Sequence, residues 1–139
     1  MLPPKDTHIV FLALGTNLGD KNVNLLTAIA FIAERIGVLP AISSVHESEP
    51  WGFDSENSFL NMVIKVETTL SPEELLRATQ AIEKAMERTQ KTETTYQDRV
   101  IDIDIIFYDD LVYESKELRI PHPLSRKRPF VWNPLMEIL

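Results

Sequence analysis

Asp98-Arg99-Val100-Ile101-Asp102-Ile103-Asp104-Ile105-Ile106-Phe107-Tyr108 is dense in β-branched and aromatic residues and runs into Asp109-Asp110, so it reads as a strand ending in a turn. Side chains on a strand alternate faces, which predicts Ile101, Ile103, Ile105 and Phe107 on a core face and Asp102 and Asp104 on the opposite one. The two acids then stand about 6–7 Å apart at Cα, where like charges repel unless a cation lies between them. Mg²⁺ suits that position, because it takes one or two carboxylates together with phosphate oxygens. Two such ions about 3.5–4 Å apart would grip a polyphosphate. The plainer alternative for Asp-x-Asp alone is a solvated outer face that happens to carry two acids.

Upstream, residues 9–14 are wholly apolar, as expected of a central strand buried on both faces. Residues 15–20, Gly-Thr-Asn-Leu-Gly-Asp, read as the turn that follows, with Asp20 as a helix N-cap. They lack both GxGxxG spacing and a Walker lysine. Leu25, Ile29, Ile32 and Ile36 recur at helical spacing, and Gly37 is placed to end that helix. A half-alternating strand is expected around residues 42–46, stopping at Pro50-Trp51-Gly52. The next strand, residues 59–69, alternates, with Leu60, Met62, Ile64 and Val66 inward and Phe59, Asn61, Val63 and Lys65 on the other side.

Ser71-Pro72-Glu73-Glu74 is a helix start with a capping box, and Leu75, Thr79, Ile82 and Met86 carry the core stripe. Gln80 and Glu83 fall at one edge of it, able to meet a ligand. Residues 89–97 read as an exposed loop. A β-like segment near Tyr113, another near Arg119 and a helical piece from residue 124 close the chain. Strand, helix, strand, strand, helix, strand is the order of a ferredoxin-like α+β sandwich, an antiparallel sheet with helices on one face, in a single domain spanning 1–139.

Composition narrows the function. Hydrophobic residues at 44% and charged residues at 25% are ordinary for a globular chain. The absence of cysteine excludes disulfides and thiolate metal sites. No apolar run approaches the roughly 18 residues of a membrane span, and no signal-peptide pattern is present, so a cytoplasmic protein without membrane association is expected. A net charge of −7 argues against nucleic-acid binding. Yet Lys116, Arg119, Arg126, Lys127 and Arg128 cluster, which suggests a small anion held locally.

Two constellations fit a nucleotide and a flat ring. Arg88, Lys91, Arg99, Arg119, His122 and residues 126–128 supply forks and point charges for phosphate, while His122 is fixed between Pro121 and Pro123. Trp51 and Phe59 could stack on a heteroaromatic ligand whose edge Asn61 reads; ordinary hydrophobic cover is the alternative. Nothing resembles an activated serine, a cysteine nucleophile or a zinc site.

Gly15-Thr16-Asn17-Leu18-Gly19, Ser48-Glu49-Pro50-Trp51-Gly52, Phe59-Leu60-Asn61, Arg99-Val100-Ile101-Asp102-Ile103-Asp104, Ile120-Pro121-His122-Pro123 and Arg128-Pro129-Phe130 resemble, in order and spacing, the 6-hydroxymethyl-7,8-dihydropterin pyrophosphokinase family of folate biosynthesis. The resemblance implies transfer of pyrophosphate from ATP to the hydroxymethyl group of a reduced pterin, releasing AMP. It implies two Mg²⁺ ions on Asp102 and Asp104, and Arg99, His122 and Arg128 among the catalytic groups. Pterin would lie between Phe59 and Phe130, read by Asn61 and by the chain around Ser48, Pro50 and Trp51. ATP would be surrounded by Gln80, Glu83, Arg88, Lys91, Arg99, Ile105, His122 and Arg128, with Tyr96 capping the site. Only small-molecule partners are implied, with no obligate protein partner. A Mg²⁺-dependent nucleotidyltransferase and a non-catalytic binding module remain the rival readings.

Overall fold

A computed structural model describes residues 6–49, 58–88, 99–123 and 125–139. Its central strand β1 (His8–Thr16) lies between β4 (Phe59–Thr68) and β5 (Asp102–Tyr108), antiparallel to both. Strand β2 (Gly37–Ile42) pairs with the far side of β4, giving the order β2-β4-β1-β5, and β3 (His46–Ser48) joins β4 beyond β2. This order and direction are those of the expected ferredoxin-like α+β sandwich. A two-residue pair, β6 (Tyr113–Glu114) and β7 (Arg119–Ile120), forms a separate small sheet.

Helices α1 (Lys21–Arg35) and α2 (Pro72–Arg88) cover one face. Asp20 caps α1 by accepting from Val23 N at 3.2 Å. The box at α2 is complete: Ser71 N donates to Glu74 at 2.9 Å and Glu74 N donates to Ser71 Oγ at 3.2 Å, a pairing that contributes about 1 kcal/mol. Leu75, Ile82 and Met86 pack with Leu25, Ala28 and Ile32 of α1 onto Leu12, Leu14, Ile64, Val66, Ile103 and Ile105 of the sheet. The helices are not confined to that face. Helix α3 (Pro129–Ile138) covers the other, where Val131 and Leu135 meet Phe11, Ala13, Val63 and Ile106. The wholly apolar β1 is the cause, since a strand greasy on both sides needs cover on both.

Four local expectations are corrected. Gly15 and Thr16 belong to β1 rather than to the turn, which keeps only Gly19 in the left-handed region (φ 70). Gly37 does not end α1, whose C-cap is Ile36; it opens β2, where a Cβ would lie 1.9 Å from Glu67 O. The strand expected at 42–46 is broken, because Ser43 turns its side chain onto the sheet, Oγ accepting from Val63 N at 2.9 Å. Phe107 leaves the face of Ile101, Ile103 and Ile105 because an irregularity opposite Phe11 and Leu12 inserts Ile106 into β5. Such a bulge exchanges faces for the residues beyond it, and both Ile106 and Phe107 accordingly pack on the α3 side.

Candidate active site

The register of β1 decides what meets at the site. Gly15 lies level with Asn61 on β4 and with Asp102 on β5, and Ala13 lies level with Asp104. Small residues at both positions of the middle strand leave room above the sheet on the α3 side. A cavity of about 240 Å³ opens there, floored by Ala13, Leu14 and Gly15. Ser48, Glu49, Phe59 and Asn61 wall it from β3, its end and β4; Arg99, Asp102 and Asp104 from β5 and the residues before it; Arg128, Phe130 and Val131 from α3 and its cap.

The β5 wall concentrates negative charge. Burial and the neighbouring Asp104 push Asp102 up to about 6, against the pull of Arg99, a Glu83 hydrogen bond and Arg128. Burial raises Asp104 too, opposed by Arg128. Glu83 reaches across from α2 and accepts the outward N–H of Ile103 at 2.8 Å, between the two aspartates on the exposed edge of the sheet. Burial, Asp102 and Asp104 push it up to about 8 despite that bond. Three carboxylates that cannot easily share full charge are a place where a cation relieves repulsion. Hard oxygen donors on the cavity wall are of the kind Mg²⁺ takes, and Asp102 and Asp104 are the two that could hold such an ion.

Arg99 is set by the loop after β1: its N–H donates to Asn17 Oδ1 at 2.7 Å, and its carbonyl accepts from Asn17 N at 3.0 Å. Across the cavity the Asn61 amide is locked. Its Nδ2 donates to Ser48 Oγ at 2.7 Å and to His46 O at 3.2 Å, which leaves Oδ1 on the Gly15 side as an acceptor. Any Cβ at Gly15 would lie 3.4 Å from that oxygen and 3.6 Å from the Phe59 ring. The cavity thus combines two aromatic rings, an aimed acceptor, three acids and two guanidinium groups.

Residues 11–139 match the profile of the 7,8-dihydro-6-hydroxymethylpterin-pyrophosphokinase (HPPK) family. The chain belongs to this family. It is 44% identical over 134 residues to the 2-amino-4-hydroxy-6-hydroxymethyldihydropteridine pyrophosphokinase of Porphyromonas gingivalis, covering 94% of this chain and 90% of that one. The Aquifex aeolicus protein of the same name is 42% identical over 93% of this chain and 79% of its own length. A Schizosaccharomyces pombe folic acid synthesis protein is 42% identical, but this chain spans only 18% of it. Wild-type Plasmodium falciparum HPPK-DHPS with pteroate shares the fold at a TM-score of 0.71 and 16% identity, over 94% of this chain and 38% of that one.

Within this HPPK chain the expected residues divide. Ser48, Phe59, Asn61, Arg99, Asp102, Asp104, Arg128 and Phe130 come together on the cavity. His122 lies just outside its lining, half-buried, its N–H on Ile106 O at 3.1 Å. Burial and Arg128 lower the affinity of its ring for a proton, while Asp102 raises it. Gln80 is exposed on α2, and the Ile105 side chain is buried in the helix-facing core, outside the cavity lining. Arg119 is drawn away to Glu114 at 2.7 Å on the small sheet. Pro50, Trp51, Lys91 and Tyr96 lie outside the described residues, as does the Arg88 side chain. Ala13, Gly15, Asn17 and Val131 were not expected; a small-residue pair level with the two aspartates is the signal that finds the first two.

Proposed function

We propose that this chain transfers pyrophosphate from ATP to the hydroxymethyl group of 6-hydroxymethyl-7,8-dihydropterin, giving AMP and the pterin diphosphate of folate biosynthesis. The observation that carries the reading is one cavity in which an aromatic, amide-lined wall faces a wall of acids and guanidinium groups. Phe59 and Phe130 supply apolar rings for a flat heterocycle. Asn61 Oδ1, its amide already oriented by Ser48 and His46, accepts from an amino or ring N–H group. Arg99 and Arg128 suit phosphate oxygens, which guanidinium forks match bidentately.

Asp102 and Asp104 would hold Mg²⁺, two ions in this reading, which when bound neutralises charge on the phosphate oxygens and the departing AMP. The pterin hydroxyl attacks the β-phosphorus in line: the new oxygen–phosphorus bond forms as the bond to the α-phosphate oxygen breaks, AMP leaves, and the hydroxyl proton is released to solvent. Most of the rate then comes from holding the two substrates in register and from charge stabilisation. In this reading Arg99, Arg128 and His122 meet the charge on the leaving side. In this reading both substrates are small molecules and the reaction takes place in the cytoplasm.

Product analysis tests this. Incubation with ATP, Mg²⁺ and the hydroxymethyl dihydropterin should yield AMP and a diphosphorylated pterin in equal amounts. Release of inorganic pyrophosphate with a nucleotidylated pterin would instead identify a nucleotidyltransferase. Binding of both compounds without turnover would leave a binding module.

A further inference from the structure

Glu137 occupies an unfavourable place. It lies in the last turn of α3, where the helix dipole opposes an anion and no basic residue follows. Three groups compensate. Its Oε1 accepts Ser44 N at 2.7 Å, and its Oε2 accepts the Ser44 hydroxyl at 2.6 Å and faces His46 Nε2 at 2.5 Å. The Ser44 bonds, with His46 behind them, pull its carboxyl down to about 2. This trio is no nucleophile: Ser44 Oγ lies 3.2 Å from His46 Nε2, but its hydroxyl donates its proton to the carboxylate.

The partners of Glu137 matter for what they carry. Ser44 lies in the break between β2 and β3, and His46 opens β3. His46 sits opposite Asn61, and its carbonyl accepts the Asn61 amide; Ser48, two residues on, accepts the same amide. At the other end of α3 stand Phe130 and Val131 of the cavity wall. One carboxylate therefore fastens the helix that supplies an aromatic wall to the short strand that orients the edge-reading amide. β3 has three residues and pairs only with β4 among the described strands, so little else on its own element holds it in register.

We infer that Glu137 is a positioning residue for the pterin half of the site, acting through Ser44 and His46 on the Asn61 amide. The inference rests on the proposed function for its ligand but not for its geometry. Pterin affinity, read by titration calorimetry with 6-hydroxymethyl-7,8-dihydropterin, should fall about tenfold in Glu137→Ala, while ATP affinity stays within about twofold. Glu137→Gln keeps the size and one acceptor for Ser44 N, and should fall in between; it guards against simple misfolding.

A general loss of stability would not distinguish backgrounds, whereas a route through Asn61 does. In Asn61→Ala, adding Glu137→Ala should change pterin affinity less than about twofold. Equal losses in both backgrounds, or none in either, would overturn the clamp. The Asn61 side-chain amide resonances of the ligand-free protein supply a readout independent of the substrate. They should move in both Glu137 variants, and unchanged resonances would overturn the inference. A wild-type chain that binds no pterin while those resonances move would instead sink the proposed function and leave the clamp standing.

Discussion

Two carboxylate sites, a group of three at the cavity and a single acid at the far end of α3, have opposite electrostatics. Asp102 and Asp104 of β5 crowd together with Glu83 of α2; burial raises the proton affinity of each, and neighbouring carboxylates raise it further at Asp102 and Glu83. At the end of α3, Glu137 is surrounded by donors and sits far below the ordinary carboxylate range. The first cluster costs the free protein stability and is poised for a cation. The second contributes stability and is already satisfied. A buried acid that the fold does not satisfy is a better mark of chemistry than a satisfied one, and here the contrast separates the reacting wall from the scaffold that holds its neighbour.

The largest expected effect attacks the first cluster. Asp104→Asn should lower turnover by about 10³-fold or more, in line with loss of a preorganised charge-stabilising group, and leave pterin affinity within about threefold. Steady-state kinetics alongside calorimetry would check both. If turnover and pterin affinity fell together, the acid would be shaping the cavity rather than serving the phosphates.

On the other side of the cavity, Gly15→Val should weaken pterin binding by roughly tenfold or more with little effect on nucleotide affinity, since branched carbons would press on Asn61 Oδ1 and Phe59. Binding titrations of both ligands would check it. A side chain at Gly37 is a test of fold alone: Gly37→Ala drives a Cβ into the Glu67 carbonyl and should cost on the order of 2–3 kcal/mol in denaturant unfolding.

Smaller effects separate the clusters by pH. Asp102 and Glu83 bind protons more tightly folded than unfolded, so their contribution is fully present below the ordinary carboxylate range and is lost as pH rises toward 6 and 8. Thermal melts of the cation-free protein should therefore show Asp102→Asn more stable than wild type at pH 8, by a few degrees, and little different near pH 4. Glu137 runs the other way. Its folded pKa is depressed, so its stabilisation is present above the ordinary value and lost as pH falls toward 2. The destabilisation caused by Glu137→Gln should accordingly be clear at pH 7 and shrink on acidification.

How much of this was legible in the chain depends on range. Local patterns read through: the Ser71 to Glu74 box, the Asp20 cap and the stripe of Leu75, Thr79, Ile82 and Met86 all take the expected form. So does the alternation that turns Asp102 and Asp104 away from Ile103. The bulge at Ile106 does not, because it is set by pairing with Phe11 and Leu12 ninety-odd positions upstream. Gly37 looked like a helix stop for the same reason, its true neighbour being Glu67 across the sheet. Ferredoxin-like topology followed from element order, but α3 on the opposite face had no signal beyond the two-sided greasiness of β1.

The site divides along the same line. Asn61 and Phe59 were visible as a polar and aromatic pair two apart on one strand, Arg128 as part of the basic cluster, and the family resemblance supplied Phe130. Ala13 and Gly15 stayed hidden until the register set them beside the aspartates. Glu137 was unreadable, since its meaning lies in Ser44 and His46, more than ninety residues earlier.

Calorimetry with a non-hydrolysable ATP analogue, with and without Mg²⁺, tests most directly whether the β5 acids share a cation with the polyphosphate. Wild type should bind the analogue at least about tenfold more tightly when Mg²⁺ is present, and the Asp102→Asn, Asp104→Asn double variant should bind it equally with and without the ion. An undiminished Mg²⁺ gain in the double variant would contradict the account.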